Sequence, residues 1–92
     1  MIIREWRGRA PATNSEAYPR HFRKEVIPEL LKLKGFLGAE LCRRPLRGAV
    51  EFLVLTRWAS LDAIRAFAGD EIDRAVVEPG AAAALIDYDP KV

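Results

Sequence analysis

The sequence contains few of the side chains that form disulfides or bind metals. Its 92 residues include one cysteine, Cys42, and one histidine, His21. A single cysteine excludes an intramolecular disulfide. One histidine, one cysteine and scattered acids match no metal-ligand spacing. We therefore expect no metal and no cofactor, and a free thiol of the kind found in cytoplasmic proteins.

Long apolar runs and dense clusters of one charge are also missing. The longest apolar segments, residues 52–55 and 80–86, are far shorter than the ~18 residues that span a bilayer. The first residues alternate in polarity, unlike a secretory signal. Fifteen basic and 13 acidic residues leave a net charge of +2, with no motif that reads nucleic acid. These features predict a cytoplasmic protein that binds neither membranes nor nucleic acids.

The length predicts one domain over residues 1–92. A chain of this size buries only about 60–65% of the surface that its unfolded form exposes. Without disulfides, association with a second copy is the expected source of further burial.

The first part of the chain is predicted to form a strand and then a helix. Residues 2–9 are β-branched and aromatic, as in a strand. Thr13 or Asn14 is expected to cap a helix that runs to about Lys34, where Gly35 follows as a left-handed residue. Pro19 and Pro28 are expected to disturb that helix. The predicted core positions of the helix recur at helical spacing: Tyr18, Phe22, Val26, Leu30 and Leu33.

Residues 36–45 and 49–58 predict a β-hairpin joined at Leu46-Arg47-Gly48. The second strand is apolar on both faces, which is typical of a strand that is covered on both sides. Helices provide one cover, and we expect a second copy of the chain to provide the other, over Ile3, Leu53 and Leu55.

The last third predicts shorter elements. Ser60 is expected to cap a helix that Gly69 ends, and one or two helical turns are expected from Asp70 to Pro79-Gly80. The alanines at 81–84 fit a helix, and residues 85–88 fit a short strand. The element order predicts an α+β protein with the ferredoxin-like split β-α-β arrangement and an antiparallel sheet.

Several segments resemble the antibiotic biosynthesis monooxygenase (ABM) family of dimeric α+β barrels. The resemblance covers most of residues 2–80 and is strongest in EFLVLTRWASLDAIRAFAGD, residues 51–70. It implies a homodimer formed by packing the two sheets face to face, with a pocket between sheet and helices in each subunit. Relatives usually continue past the Asp89-Pro90-Lys91-Val92 element into a closing strand. Without that strand, the first strand is expected to become an exposed edge, or residues 84–88 take over its role.

The resemblance leaves the activity open, because one fold supports several functions. Characterised relatives oxidise phenolic polycyclic substrates with O₂ and without metal or flavin; others degrade heme, handle quinols or act in signalling. The heme-degrading relatives use an asparagine, a tryptophan and an iron-ligating histidine. This chain has Trp6, Phe67 and Val76 or Val77 at those places, so heme degradation is not expected.

His21 is the candidate catalytic base, because histidine is the side chain whose ordinary pKa, about 6.5, lies near neutrality. A solvent-facing histidine is the alternative. Arg4 is a candidate partner of a substrate oxyanion, or an ordinary solvated arginine. The candidate substrate-binding residues are Trp6, Arg4, Phe22, Phe52, Trp58 and Phe67. For Trp6 and Trp58 the alternative is an ordinary role in the hydrophobic core.

Two functions follow from these candidates. One is a cofactor-independent monooxygenase that acts on a small aromatic, phenolic or quinone-type substrate with O₂. The alternative is a non-catalytic homodimeric module that binds a small ligand or contributes structure. The missing acid–base pair favours the second, and the resemblance favours the first.

Overall fold

A computed structural model describes all 92 residues as one antiparallel sheet with helices packed on one face. The strands are β1 (Ile2–Pro11), β2 (Phe36–Leu46), β3 (Ala49–Trp58) and β4 (Asp87–Tyr88), and the helices are α1 (Ala17–His21), α2 (Ile27–Leu31), α3 (Leu61–Ala68) and α4 (Pro79–Ala84). The strand order is β2-β3-β1-β4. The α+β ferredoxin-like fold predicted from the sequence is confirmed.

The long strands follow the predicted alternation closely. β3 has the predicted bounds, and β2 and β1 each extend one or two residues further than expected. β3 pairs with β1 from Ile2↔Trp58 to Pro11↔Ala49 and with β2 from Phe36↔Trp58 to Leu46↔Ala49. Gly48 closes the β2–β3 turn with φ +72°, a backbone angle that favours glycine.

The predicted helix is present from Ala17 to Leu31 and is disturbed near Pro28 as expected, but its predicted end at Lys34 is wrong. α1 and α2 are separated by a π-helical segment, Phe22–Val26, and α2 ends at Leu31. Pro28 has no N–H and its ring clashes with the preceding turn, so the helix widens before it. The N–H of Ile27 then donates to the carbonyl of Phe22, five residues back.

The expected helix cap is wrong as well. Residues Ala12–Asn14 form a 3₁₀ turn instead, and no side chain caps α1, whose N-terminal flanking residue is Glu16. Gly35 does adopt the expected positive φ, +89°.

After β3, the structure confirms one helix and corrects the next. The Ser60 hydroxyl accepts a hydrogen bond from the N–H of Ala63 at 3.2 Å and caps α3, which Gly69 ends. Residues 70–78 form turns and irregular chain, so the predicted helical turns there are wrong. Their backbone groups have distant partners instead: Arg74 forms a bridge with Lys91, and the N–H of Ala75 donates to the carbonyl of Pro90.

The C-terminal segment closes the sheet beside β1. α4 covers residues 79–84, and β4 pairs through Gly8↔Tyr88 and Arg9↔Asp87. The alanine helix and the short strand are therefore both present, and β4 is the neighbour of β1.

The two faces of the sheet differ in burial. Side chains from even-numbered positions of β1 and β3 lie under the helices and form two core clusters, one around Phe52 and one around Trp58. Odd-numbered positions lie on the opposite face, which no helix covers; Ile3 is 53% exposed there, and Leu53 and Leu55 are half-buried. This uncovered face is the one that we predicted to contact a second copy.

Candidate functional site

A cavity of about 80 Å³ lies between the sheet and the helices. Sixteen residues line it, and 11 of them are hydrophobic, so its interior is apolar with a few polar groups. Its floor comes from β1 and β3. Its other walls come from the α1–α2 segment, Phe67 of α3, residues 76–78, Ala81 and Val92.

Five of the seven predicted site residues line this cavity: Arg4, Trp6, His21, Phe22 and Phe67. Phe52 and Trp58 lie outside it. Both are 0% exposed: the ring of Tyr18 covers Phe52 at 5.2 Å between centroids, and the ring of Phe67 stacks on Trp58 at 5.4 Å. They support the residues that line the cavity and do not face it.

Trp6 is held in place at its polar and apolar ends. Its indole N–H donates to the carbonyl of Asp89 at 2.8 Å, and its ring packs against Tyr18 and Tyr88 with centroids 5.8 and 6.1 Å apart. A Cβ atom at residue 8 would lie 3.0 Å from the Trp6 ring, so the ring can occupy this position because residue 8 is glycine and has no side chain. Trp6 therefore forms a fixed aromatic wall of the cavity.

His21 lies at the C-terminal end of α1, and its ring contacts α4. The Nε2 atom is buried and has no hydrogen-bond partner in the protein. The ring of Tyr18 lies 6.4 Å away between centroids. His21 is one of the cavity-lining residues, and a ligand that reached this nitrogen would compete with no hydrogen-bond partner in the protein.

Arg4 is buried and bound to the chain backbone, and the solvated alternative is wrong. Only 9% of its surface is exposed. Nη2 donates to the carbonyls of Ile72 at 3.3 Å and Arg74 at 2.8 Å, and the guanidinium lies 5.4 Å from the centroid of the Phe67 ring. Burial lowers its pKa from the ordinary value, because desolvation disfavours the charged form.

Tyr18, which the helical spacing placed among the predicted core positions of the first helix, also lines the cavity. Burial raises the pKa of its hydroxyl well above 10, so the phenol stays protonated at neutral pH and can donate a hydrogen bond. Its place on the apolar stripe predicted a core residue, which it also is. The spacing of Tyr18 and His21, three residues apart on one helix, was the available signal that both face the same space.

Acidic side chains occur at the cavity as well. Glu29 and Glu78 line it, and both residues are exposed to solvent. The carboxylate of Glu29 forms an ion pair with the Lys32 ammonium at 3.1 Å. No three His, Cys, Asp or Glu side chains come together as a possible metal site. No helix has the length and apolar character needed to cross a membrane.

The sequence that forms this cavity matches a known protein family. The family described as antibiotic biosynthesis monooxygenase matches residues 1–79. The chain belongs to the ABM family. The matched part contains every cavity-lining residue except Ala81 and Val92. No curated protein matches the chain. Membership of the ABM family indicates a monooxygenase-like or small-molecule-binding role.

Proposed function

We propose that this ABM protein binds a small phenolic or quinol-type aromatic compound in the cavity and oxidises it with O₂, without a metal or organic cofactor. The observation that carries the proposal is the unpartnered, buried Nε2 of His21 in the wall of an otherwise apolar, aromatic-lined cavity. An apolar site holds the ring, and a free base there can take the phenol proton.

The proposed reaction starts with a proton transfer. Nε2 of His21 takes the proton of the phenol, and the phenolate transfers an electron to O₂. The two resulting radicals combine to form a C–O bond at a ring carbon, and a proton from the imidazolium completes a hydroperoxide. Loss of the ring hydrogen and cleavage of the O–O bond release water and leave a quinone. One phenol and one O₂ thus give one quinone and one water.

The cavity volume limits the size of the ligand. About 80 Å³ is small against the roughly 300–1,000 Å³ of ordinary ligand sites, and an engineered cavity that holds benzene measures about 150 Å³. The proposed ligand therefore has a single aromatic ring, placed near Trp6 and Phe22, and extends towards the open mouth of the cavity. A polycyclic ring system would require the walls to separate.

We further propose that the protein acts in the cytoplasm as a homodimer. Ile3, Leu53 and Leu55 form an apolar strip on the uncovered sheet face, and a second copy would remove that strip from water. Cys42 is a free, exposed thiol, as is ordinary in a reducing compartment.

A second candidate is a binding protein that leaves its ligand unchanged. It is favoured by the surroundings of His21, whose ring contacts Gly80 and Tyr18 and has no carboxylate bonded to it to orient the imidazole. Such orientation is common for histidines that act as catalytic bases.

Oxygen consumption tests the proposal. Single-ring phenols and quinols are incubated with the protein in an oxygen electrode, with a larger anthrone as the size control and heat-denatured protein as the background. We expect uptake with at least one single-ring compound, one O₂ per product, and a loss of about 10²-fold or more in His21→Ala. Compounds that raise the melting temperature but are recovered unaltered would favour the binding protein. If no compound in the panel is consumed with O₂ and none raises the melting temperature, both candidates are excluded.

A further inference from the structure

Arg4 differs from the other arginines of the sheet in having no acidic partner. Its guanidinium has no carboxylate oxygen within 4.0 Å, although it is the most buried charged group in the protein. The arginines of the sheet that do form ion pairs are Arg7, Arg9, Arg43, Arg44 and Arg57.

The protein compensates the Arg4 charge only in part. Both carbonyl bonds use Nη2, which leaves Nε buried without a partner and Nη1 without a hydrogen bond to the protein. Carbonyl dipoles and the face of the Phe67 ring stabilise a cation but carry no net charge. Buried charges in proteins are normally paired, because an isolated ion is costly to remove from water.

The position of this charge is fixed by the fold. The carbonyls of Ile72 and Arg74 hold the guanidinium, and the extended backbone of β1 places it on the same face as Trp6. Arg4 thus adds a positive charge to the wall of a cavity whose other wall is aromatic. Glu29 and Glu78, the two acids that line the cavity, lie more than 4.0 Å from its nitrogens and belong to exposed residues.

We propose that the cavity binds its single-ring ligand as an oxyanion, a carboxylate or an ionised phenol, which supplies the negative charge that Arg4 lacks. The inference rests on the proposed function, since it names the charge state of the ligand in the same cavity. Nη1 of Arg4 donates to the anion while Trp6 contacts the ring. For a phenol, the same contact stabilises the phenolate that forms when His21 takes the proton.

Binding of matched probes tests the inference. Benzoate, benzamide and acetate are titrated into ¹⁵N-labelled protein, with the Trp6 indole N–H, assigned by its loss in Trp6→Phe, as the signal of an occupied cavity. Benzoate and benzamide have nearly the same shape and differ in charge, and acetate carries the charge without the ring. We expect benzoate to bind about tenfold or more tightly than either other probe, because benzamide leaves the buried guanidinium charge unpaired and acetate lacks the ring that contacts the apolar walls.

Variants of Arg4 separate charge from packing. Arg4→Met keeps most of the volume, and we expect it to weaken benzoate at least about tenfold while benzamide stays within about threefold. Arg47→Met removes the same charge from the exposed β2–β3 turn and should leave benzoate binding unchanged. If Arg4→Met does not fold, the inference is tested with Arg4→Lys and with the ratio of benzoate to benzamide affinity in the wild type.

A separate experiment tests whether a phenol binds in its ionised form. 4-Nitrophenol is yellow only when ionised, so its absorbance reports its charge when bound. We expect it to ionise at a lower pH when bound to the wild type than when bound to Arg4→Met, which removes the positive charge. The same ionisation pH in both proteins would contradict the inference for phenols.

The outcomes distinguish the inference from the function on which it rests. Equal binding of benzamide and benzoate, or benzoate binding that survives Arg4→Met, would overturn the anion inference and leave the aromatic cavity intact. Binding of no ring compound at all would overturn both. Benzoate binding without oxygen uptake by any phenol would support the anion inference and the binding-protein function.

Discussion

The imidazole ring of His21 lies against Gly80 of α4, where a Cβ atom would stand 2.9 Å from Cε1 and 3.0 Å from Nδ1 of the ring. No real Cβ contact is that short, so the ring position depends on glycine at 80. The contact also links the proposed base to α4, of which only the first residue, Pro79, lies in the family-matched part of the chain.

Gly80→Ala should therefore move the His21 ring. Because the ring is the end of a side chain, it can rotate away, and alanine favours the helix over glycine by about 1 kcal/mol. We expect the free energy of unfolding to change by less than about 1 kcal/mol, while the His21 ring resonances shift and phenol oxidation falls. In His21→Ala, the same substitution should stabilise the protein by about 1 kcal/mol, because nothing opposes the new methyl group. Equal effects in both backgrounds, measured as a double-mutant cycle, would mean that the two residues do not interact.

The Tyr18 hydroxyl makes stability depend on alkaline pH. Burial raises its folded-state pKa above the ordinary value of 10.0, whereas in the unfolded chain it ionises near 10. Above about pH 10 the unfolded state binds fewer protons, so the free energy of unfolding falls as pH rises, by up to about 1.4 kcal/mol per pH unit. Below that range Tyr18 contributes no pH dependence.

Urea unfolding of the wild type and of Tyr18→Phe, between about pH 8 and 11, isolates this contribution. The variant should show a shallower alkaline decline. Tyr88→Phe, on the exposed strand β4, controls for the loss of a tyrosine hydroxyl elsewhere. Identical slopes for the wild type and Tyr18→Phe would contradict the buried phenol.

The homodimer prediction is tested on the uncovered sheet face. Leu53→Glu places a carboxylate in the apolar strip of each copy, and burial of a leucine contributes about 1.5–3 kcal/mol. Since both copies lose it, the dimer dissociation constant should rise at least about hundredfold, with the circular dichroism spectrum of the fold retained. Leu31→Glu, on an exposed position of α2, should leave the dimer unchanged. Sedimentation at several concentrations measures this, and a monomeric wild type would refute the prediction.

Arg9 connects the C-terminal segment to the centre of the sheet. Its guanidinium bonds Asp89 at 2.7 Å, Glu51 of β3 at 3.3 Å, and Asp87; these carboxylates raise the pKa of Arg9. The adjacent backbone bonds run from the N–H of Ile86 to the carbonyl of Arg9 at 2.7 Å and from the N–H of Asp89 to the carbonyl of Arg7 at 2.9 Å.

Arg9→Met should therefore loosen β4 before the rest of the sheet. We expect the amides of Ile86 and Asp89 to exchange roughly five- to tenfold faster, from a local loss of about 1 kcal/mol, because the ion pairs are partly exposed. Amides of β3 should exchange as before, and Arg47→Met serves as the charge control. Uniformly faster exchange across β1, β3 and β4 would indicate global destabilisation instead.

The strands and the site differ in how far the sequence could predict them. Alternation in β3 identified which side chains face the helices, since side chains in a strand point to opposite faces in turn. It did not identify their depth: Val54 and Thr56 line the cavity, whereas neighbouring aromatic rings cover Phe52 and Trp58. That difference depends on which helix residues lie above each position.

Most of the features that the sequence did not predict depend on contacts between residues that are far apart in the chain. Arg4 was expected to be solvated or to meet a substrate, and its burial depends on two backbone carbonyls from a segment wrongly expected to be helical. The disturbance of the first helix near Pro28 was expected from the proline itself, but the helical spacing of apolar residues continues to Leu33 and gave no sign that α2 ends at Leu31.

The bonds of Arg4 also bear on how the protein folds. Its partners Ile72 and Arg74 lie 68 and 70 residues away, and the indole of Trp6 bonds Asp89 across 83 residues. Closing loops of that length is among the slower contributions to folding of a small domain. The β2–β3 hairpin alone does not contain the cavity. The cavity is complete only when β1 has formed its contacts with the C-terminal segment. A ligand of the cavity would consequently act on the last stage of folding, slowing unfolding more than it speeds the formation of the sheet.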